Sequence, residues 1–271
     1  MSADLFEYYG VDGVEDTRLR RSPHGRLEFL RTQELLRRHL GAGHTRERGA
    51  EPGPRRILDV GGATGIHAAW LAADGHRVHV VDLVPAHVAA AARLPGVTAS
   101  VGDAVALAAP DASADVVLLF GPLYHLDAAT DRARALAEAV RVLRPGGLLA
   151  AAGISRYLSL LENGTNGGLT ETAEPPIRQV IETGDYDGQA GFVDAHFHTA
   201  GELRAEVEAA GLRDVTVYGV EGPAWPALDV AGLDAFDALA GSALHCARLA
   251  ERDPLLINAS AHFLAIAHVG R

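Results

Sequence analysis

The sequence predicts an α/β fold built on a doubly wound, mostly parallel sheet of seven strands. Short apolar runs at 57–60, 78–81 and 114–120 are each followed by a glycine or an aspartate, and alanine-rich helical segments separate them. Such alternation builds right-handed βαβ units, whose strands lie parallel. The runs are apolar along nearly their whole length, which is typical of a sheet covered by helices on both faces.

Residues 1–54 predict an N-terminal helical cap. Leucines recur at helical spacing between Gly25 and Leu40, and a polar linker follows up to Pro54. We therefore expect the main domain to span 55–271. Its βαβ part continues with strands expected at 97–101 and 148–153 and helices expected at 66–73, 86–94 and 131–143.

The alternation stops at residues 155–198, which are polar and rich in glycine, with short helices expected around Ser159 and Ile177. A stretch of this length inside a domain is usually a lid or a binding element, and we call it the lid. Beyond it, Thr199 and Glu202 have the spacing of a capping box, which predicts the start of a helix. The last expected elements are a strand at 215–218, a helix at 229–252 and a strand at 261–269.

The composition excludes several classes of protein. A balance of 24 Lys and Arg against 35 Asp and Glu gives a net charge of −11, which disfavours nucleic acid as a partner. Every basic residue is arginine, so a Schiff-base lysine and a P-loop lysine are excluded. Cys246 is the only cysteine, which excludes a disulfide within the chain. The first residues lack the features of a signal peptide and no apolar run approaches about 20 residues, so a cytoplasmic protein without a membrane span is expected.

The segment 57–65, Ile-Leu-Asp-Val-Gly-Gly-Ala-Thr-Gly, is the most informative in the chain. A strand must turn sharply there into a helix, and glycines provide the backbone freedom and the close ligand approach that such a turn needs. The helix that starts after Gly65 offers free N–H groups to a polar or anionic ligand. The second strand ends at Asp82, where a carboxylate typically accepts hydrogen bonds from ribose hydroxyls. Together these features predict an adenosine-containing ligand at the carboxyl edge of the first strands.

The glycine spacing distinguishes between adenosine cofactors. The dinucleotide pattern requires glycine at the third position and glycine or alanine at the sixth, counted from Gly61, whereas Ala63 and Ile66 stand there. A nicotinamide-dependent oxidoreductase is therefore disfavoured. Residues 59–65 follow instead the pattern Asp-x-Gly-x-x-x-Gly, which resembles the first motif of class I S-adenosylmethionine-dependent methyltransferases. Four later segments resemble further motifs of that family in the usual order: 80–83, 102–104, 115–126 and 143–148.

This resemblance covers about 57–153 and implies a Rossmann-like fold with S-adenosyl-L-methionine as cofactor. It implies that the methionine half of the cofactor lies on the first strand end and its loop: Asp59, Gly61, Gly62, Ala63 and Gly65. It implies that ribose and adenine lie on residues after the second and third strands: Asp82, Leu83, Gly102, Asp103 and Ala104. Phe120 and Gly121 would then lie beside the sulfonium. Many family members carry glycine where Ala63 stands, and its β-carbon is expected to keep the backbone φ negative.

The N-terminal cap supplies two more candidates for cofactor binding. In this family such segments often fold over the cofactor, so Tyr9 and Arg26 are assigned there. Arg26 could pair with the methionine carboxylate in a bidentate manner. The alternative is a solvated arginine and a tyrosine that only packs.

Tyr124 and His125 follow the fourth strand and are the candidates for catalysis. Methyl transfer is an in-line displacement that chiefly requires alignment and the exclusion of water. A general base helps when the acceptor is a hydroxyl or an acidic carbon, and histidine is the usual base near pH 7. The alternative is that Tyr124 packs over the cofactor and His125 caps the next helix.

Aromatic and histidine side chains of the lid and beyond are candidates for acceptor binding: Tyr124, Tyr157, Phe197, His198 and Trp225. Each is equally compatible with a place in the core. His196 and His198 share a face of an extended segment and suggest a metal pair, but the nearest acidic residue, Asp194, completes no motif. We therefore expect no metal.

The sequence thus predicts S-adenosylmethionine-dependent methyl transfer to an O, N or C nucleophile of a small molecule held in a closed pocket. Two alternatives stay open: a methyltransferase that acts on tRNA, protein or peptide, and a catalytically silent cofactor-binding protein. The choice between monomer and homodimer also stays open.

Overall fold

The computed structural model describes residues 19–41, 53–188 and 192–270. Within these ranges the strands are β1 Arg56–Val60, β2 Arg77–Asp82, β3 Val97–Val101, β4 Ala114–Leu119, β5 Leu143–Ile154, β6 Asp185–Asp187, β7 Asp194–His196, β8 Arg213–Gly219 and β9 His262–His268. The α-helices are α1 Pro23–Gly41, α2 Ile66–Ala73, α3 Pro85–Ala91, α4 Pro122–His125, α5 Ala129–Val142, α6 Leu158–Asn166, α7 Glu174–Thr183, α8 Ala200–Ala209, α9 Trp225–Ala231 and α10 Phe236–Ala250.

Seven strands form the central sheet in the spatial order β3-β2-β1-β4-β5-β9-β8. Strands β1 to β5 are parallel, and β9 is antiparallel to both of its neighbours, β5 and β8. This confirms the predicted α/β class and the seven-stranded, mostly parallel sheet. The two strands that the sequence did not predict, β6 and β7, form a separate antiparallel pair in the lid.

The register of the parallel strands brings three chain segments to one edge of the sheet. Val60 at the end of β1 pairs with Val81 of β2 on one side and with Leu119 of β4 on the other. The residues that follow these strands therefore meet at the carboxyl edge. In doubly wound sheets this edge is the usual position of the ligand site.

Both faces of the sheet are buried, because strand residues alternate between two apolar clusters. One cluster contains Val117 and Leu119 of β4 with side chains of α5 and α8. The other contains Val116 and Leu118 of β4 with side chains of α1, α2 and α3. Helix α1, from the predicted N-terminal cap, therefore contributes to the same core as the first strands.

Two predicted details of the later chain are confirmed. Helices α6 and α7 lie around Ser159 and Ile177, as expected for the lid. Thr199 and Glu202 make both hydrogen bonds of a capping box at the start of α8. Among the described residues, no helix is both long enough and apolar enough to cross a membrane.

Candidate functional site

The loop after β1 is held in place by the neighbouring strand. The Gly61 N–H donates to the Val81 carbonyl at 2.7 Å, and the Ala63 N–H donates to Asp82 Oδ2 at 2.9 Å. The loop turns through positive φ angles at Gly61 (70°), Ala63 (48°) and Gly65 (88°). The expectation of a negative φ at Ala63 was wrong, because the turn and the bond to Asp82 hold this residue in the left-handed region despite its β-carbon.

Asp82 organises the edge of the site from the end of β2. Its Oδ1 accepts hydrogen bonds from the Val84 N–H at 2.9 Å and from His87 Nδ1 at 3.2 Å, while Oδ2 holds Ala63. Only 8% of the residue is exposed. These donors fix the carboxylate where its remaining lone pairs can accept further hydrogen bonds.

A cleft of about 700 Å³, including its open mouth, lies beyond the ends of β1, β2, β3 and β4. Ten of its lining residues are those that the sequence assigned to the cofactor or to catalysis: Gly61, Ala63, Asp82, Leu83, Gly102, Asp103, Ala104, Gly121, Tyr124 and His125. Residues from four separate strand ends therefore line one cleft.

A second cleft of about 650 Å³ lies on the other side of the glycine loop. It is lined by three more of the predicted residues, Asp59, Gly62 and Phe120. Gly61, Ala63 and Tyr124 border both clefts. An elongated ligand can therefore lie across the loop with one end in each cleft.

Asp59 is a buried carboxylate on the floor of the second cleft. It is 1% exposed, and neither of its oxygens has a hydrogen-bond partner among the described residues. Burial, and after it the nearby charge of Asp82, raises the pKa of Asp59 to about 7. A Cβ at Gly62 would stand 2.6 Å from the Asp59 carboxyl carbon, so only glycine leaves room for this arrangement. An unpartnered buried acid of this kind fits a ligand that brings a positively charged donor.

The second cleft also contains an acid–histidine group that sequence reasoning missed. His262 Nδ1 lies 2.6 Å from Glu221 Oε1 and 3.7 Å from Glu28 Oε2. Glu221 is fully buried, and its Oε2 accepts from the Ser260 hydroxyl at 2.8 Å and from the His262 N–H at 2.9 Å. Glu28 and His262 line the cleft. These residues are far apart in the sequence and lie in α1, after β8 and at the start of β9, so no local pattern connects them.

The chain matches a family model described as "Methyltransferase domain" over residues 58–151. A ubiquinone/menaquinone biosynthesis C-methyltransferase of Acidiphilium cryptum is 41% identical over 107 residues, which are 36% of this chain. The match spans 41% of the length of that relative.

Two solved structures extend the likeness of the fold to nearly the whole chain. A Thermotoga maritima S-adenosylmethionine-dependent methyltransferase, described as a possible histamine N-methyltransferase, has a TM-score of 0.59 at 18% identity, covering 98% of this chain and 99% of that one. A Burkholderia thailandensis 1,6-didemethyltoxoflavin N1-methyltransferase has a TM-score of 0.57 at 19% identity, covering 99% and 87%.

Residues 58–151 form a class I S-adenosylmethionine-dependent methyltransferase domain. The predicted resemblance is thereby confirmed, together with its Rossmann-like fold.

Gly65 of the methyltransferase domain lies at a point of close packing. It lines neither cleft, and a Cβ there would stand 2.7 Å from Leu94 Cδ1 and 3.4 Å from the Ala91 Cβ. This glycine therefore allows close packing of α2 against the end of α3, and its assignment to the cofactor stays a prediction. The third glycine of related phosphate-binding turns acts in the same way.

Tyr124 and His125 lie in the short helix α4, directly after β4. The Tyr124 hydroxyl donates to the Phe120 carbonyl at 2.6 Å, and the two aromatic rings of Tyr124 and His125 have centroids 4.6 Å apart. Phe192 of the lid approaches His125, with ring centroids 5.6 Å apart. The methyltransferase domain thus presents both predicted catalytic residues at the cleft, with lid residues beside them.

Three predicted acceptor-binding residues lie in the interior and line neither cleft. Trp225 is fully buried and donates to the Ala259 carbonyl at 3.0 Å. Phe197 is 3% exposed and stacks on Tyr186 with centroids 5.1 Å apart. His198 is fully buried and lies 3.3 Å from Glu206. Trp225 packs among side chains of α1 and α10, and Phe197 packs among side chains of the lid. Their burial argues against a contact with the acceptor, and their assignment to the acceptor stays a prediction.

The remaining predicted residues fall outside the two clefts. Tyr157 is partly buried at the start of α6 and lines neither cleft. The Arg26 guanidinium lies over the Phe236 ring at 5.5 Å and donates to the Arg20 carbonyl, so its assignment to the methionine carboxylate is not supported by its position. Tyr9 lies outside the described residues.

Proposed function

We propose that this protein transfers the methyl group of S-adenosylmethionine to a small-molecule acceptor. The observation that carries the proposal is the pair of clefts joined across the Gly61–Ala63 loop, with Asp82 on one side and Asp59 on the other. The cofactor is likewise elongated, with an adenosine at one end and a cationic amino group at the other.

Several residues of this chain would hold the cofactor. Asp82 would accept hydrogen bonds from the ribose hydroxyls, and Asp103 would hold the adenine edge. Asp59 would accept a hydrogen bond from the amino group, which would end the isolation of its buried oxygens. The bound cofactor supplies a methyl group that is already activated by the sulfonium. The chain therefore has to align the acceptor and exclude water.

The second cleft supports a small acceptor. It is lined by residues of α1, β5 and β9 and by Val220, which follows β8. Its volume of about 650 Å³, including its mouth, is typical of sites for small molecules. Two of the proteins named above are described as a C-methyltransferase of ubiquinone/menaquinone biosynthesis and as a 1,6-didemethyltoxoflavin N1-methyltransferase, and both descriptions name small compounds. The acidity of the chain is a further argument against a nucleic acid acceptor.

Two histidines are candidates for taking a proton from the acceptor. His125 lines the first cleft and is the candidate base that the sequence offers. His262 lines the second cleft, and Glu221 Oε1 lies 2.6 Å from its Nδ1, which orients the ring. We propose His262 as the second candidate base, in competition with His125.

Calorimetric titration with S-adenosylhomocysteine tests the cofactor. We expect a dissociation constant in the micromolar range, about −8 kcal/mol, and its loss in Asp82→Ala and Asp82→Asn. Asp237→Asn, which changes an exposed carboxylate of α10, serves as the control and should bind like the wild type. No binding by the folded wild type would refute the proposal.

Release of S-adenosylhomocysteine then tests the acceptor. The assay compares a panel of amines, phenols and quinols with bulk tRNA and with peptides. Turnover only with small molecules supports the proposal, and turnover only with tRNA or peptide would favour a macromolecular acceptor. Cofactor binding without turnover on any acceptor would favour a silent cofactor-binding protein. With a productive acceptor, His125→Gln and His262→Gln identify the base by which of them lowers kcat and shifts its pH profile.

A further inference from the structure

His196, His198 and Glu206 form a buried group that the proposed methyl transfer does not use. One ring nitrogen of each histidine and one carboxylate oxygen of Glu206 all lie within 4.8 Å of one another. His198 Nε2 is 3.3 Å from Glu206 Oε2. Ligand atoms about 2.1 Å from a tetrahedral zinc ion lie about 3.4 Å from one another, so this spacing suits one shared ion.

The two rings are buried without full hydrogen bonding. His196 is 7% exposed and His198 is fully buried, and Nδ1 of neither ring has a hydrogen-bond partner among the described residues. Asp185 Oδ1 lies 3.7 Å from His196 Nδ1, which is too long for a hydrogen bond. Each ring therefore has a nitrogen that the described residues do not engage.

Glu206 is oriented from its other side. Arg132 Nε donates to Glu206 Oε1 at 2.9 Å, and the Arg132 Nη1 donates to the Leu126 and Asp127 carbonyls. The guanidinium is therefore fixed, and it leaves Oε2 of Glu206 directed to His198. Carboxylates that ligate metals are commonly held by such an outer hydrogen bond.

The sequence did not reveal this group because the acidic partner is not the expected one. Asp194, the nearest acid along the chain, lies on β7 with an exposed side chain. Glu206 lies on α8, which begins with the capping box at Thr199, directly after the end of the lid. The three residues thus connect the end of the lid to a helix that packs on the central sheet.

We propose that His196, His198 and Glu206 bind one divalent transition-metal ion of the zinc class, with a remaining position for water. Two imidazoles and a carboxylate are ligands that Zn²⁺ prefers, whereas Mg²⁺ and Ca²⁺ prefer oxygen alone. The ion would fasten the end of the lid to α8. The proposed metal ligands are separate from the cluster of Glu28, Glu221 and His262, of which Glu28 and His262 line the second cleft.

The test uses the full chain without a histidine tag and without cofactor, so its outcome is independent of methyl transfer. Bound metal is removed with EDTA, and the protein is dialysed and titrated with Zn²⁺. The zinc bound per chain is measured by inductively coupled plasma mass spectrometry. The variants are Glu206→Gln and His196→Asn, both close in size to the native residue. The controls are His79→Asn, whose native ring contacts Thr98 and Ser100 on β3, and Glu28→Gln in the other cluster.

We expect one zinc ion per chain, a higher melting temperature with zinc, and binding weakened about 100-fold in both cluster variants. Both controls should bind like the wild type. Absence of zinc binding, equal binding by the cluster variants, or loss of binding in Glu28→Gln would each overturn the proposal.

Cobalt gives a second measurement that needs no variant, in case the cluster variants fail to fold. Co²⁺ held by two imidazoles and a carboxylate at low coordination number gives intense visible absorption. The proposal would also be overturned if Co²⁺ showed only the weak spectrum of a six-coordinate aqueous ion and if Zn²⁺ left that spectrum unchanged.

Discussion

Asp59→Asn should stabilise the protein, and the gain should depend on pH. Asp59 is buried without a hydrogen-bond partner among the described residues, and burial raises its pKa from 3.8 to about 7. The unfolded chain releases this proton near pH 4, whereas the folded chain keeps it until about pH 7. In this interval the folded state binds more protons, so the contribution of Asp59 to the free energy of unfolding falls as pH rises.

The size of the effect follows from the two pKa values. Each unit of difference corresponds to about 1.4 kcal/mol, so Asp59 destabilises the protein by about 4 kcal/mol above pH 7 relative to its protonated form. Asparagine resembles the protonated acid in size and polarity and does not titrate. The stability difference between Asp59→Asn and the wild type should therefore grow by about 3 kcal/mol between pH 5 and pH 8.

Urea unfolding of both proteins at pH 5, 6, 7 and 8 measures this difference directly. The exposed control Asp237→Asn should stay within about 0.5 kcal/mol of the wild type throughout. Asp59→Asn should also bind S-adenosylhomocysteine more weakly at pH 8, because the amide carries no charge for the amino group. Parallel stability curves for Asp59→Asn and the wild type would refute the reasoning.

Three further substitutions test the packing and the electrostatics. Gly222→Ala should cost about 3 kcal/mol in urea unfolding, because φ is 65° and the new Cβ would stand 2.7 Å from the Ala247 Cα. Gly75→Ala, at φ 89° with open space around it, should cost only about 1 kcal/mol, and equal losses would contradict the clash. Burial lowers the pKa of His24, but the Asp229 carboxylate at 2.5 Å outweighs burial and raises that pKa above 6.5. This stabilisation is full below pH 6.5 and is lost as pH rises through the pKa of His24 in the folded protein. Asp229→Asn should therefore lower the melting temperature more at pH 6 than at pH 8.5. An equal decrease at both pH values would contradict this stabilisation.

The parts of the site that the sequence predicted are those formed locally. Gly61 directly follows a strand, Asp82 ends one, and Gly121 lies two residues after one. Parallel strands bring their carboxyl ends to one edge. A pattern of a few residues is therefore enough to place each of them. The capping box at Thr199 was predictable for the same reason, since both of its hydrogen bonds are made within one helical turn.

The parts that the sequence did not predict depend on which side of an element faces the core. Trp225 and Phe197 are aromatic, and aromatic residues suit a pocket wall and a core equally well. Their burial depends on how α9 and the lid pack, which no local pattern specifies. The contact between His262, Glu221 and Glu28 depends on three distant segments, so it follows only from the complete fold.

The position of β9 determines when the sheet can be completed. This last strand enters between β5 and β8 and pairs with both, so until it is in place each of those strands has an unpaired edge inside the sheet. During synthesis, the methyltransferase motifs of residues 58–151 leave the ribosome more than 100 residues before His262. The cofactor edge formed by β1, β2 and β4 can thus assemble early. The edges of β5 and β8 that pair with β9 stay unpaired until β9 has been synthesised. Substitutions in β9 should therefore reduce the yield of soluble protein before they affect the cofactor edge itself.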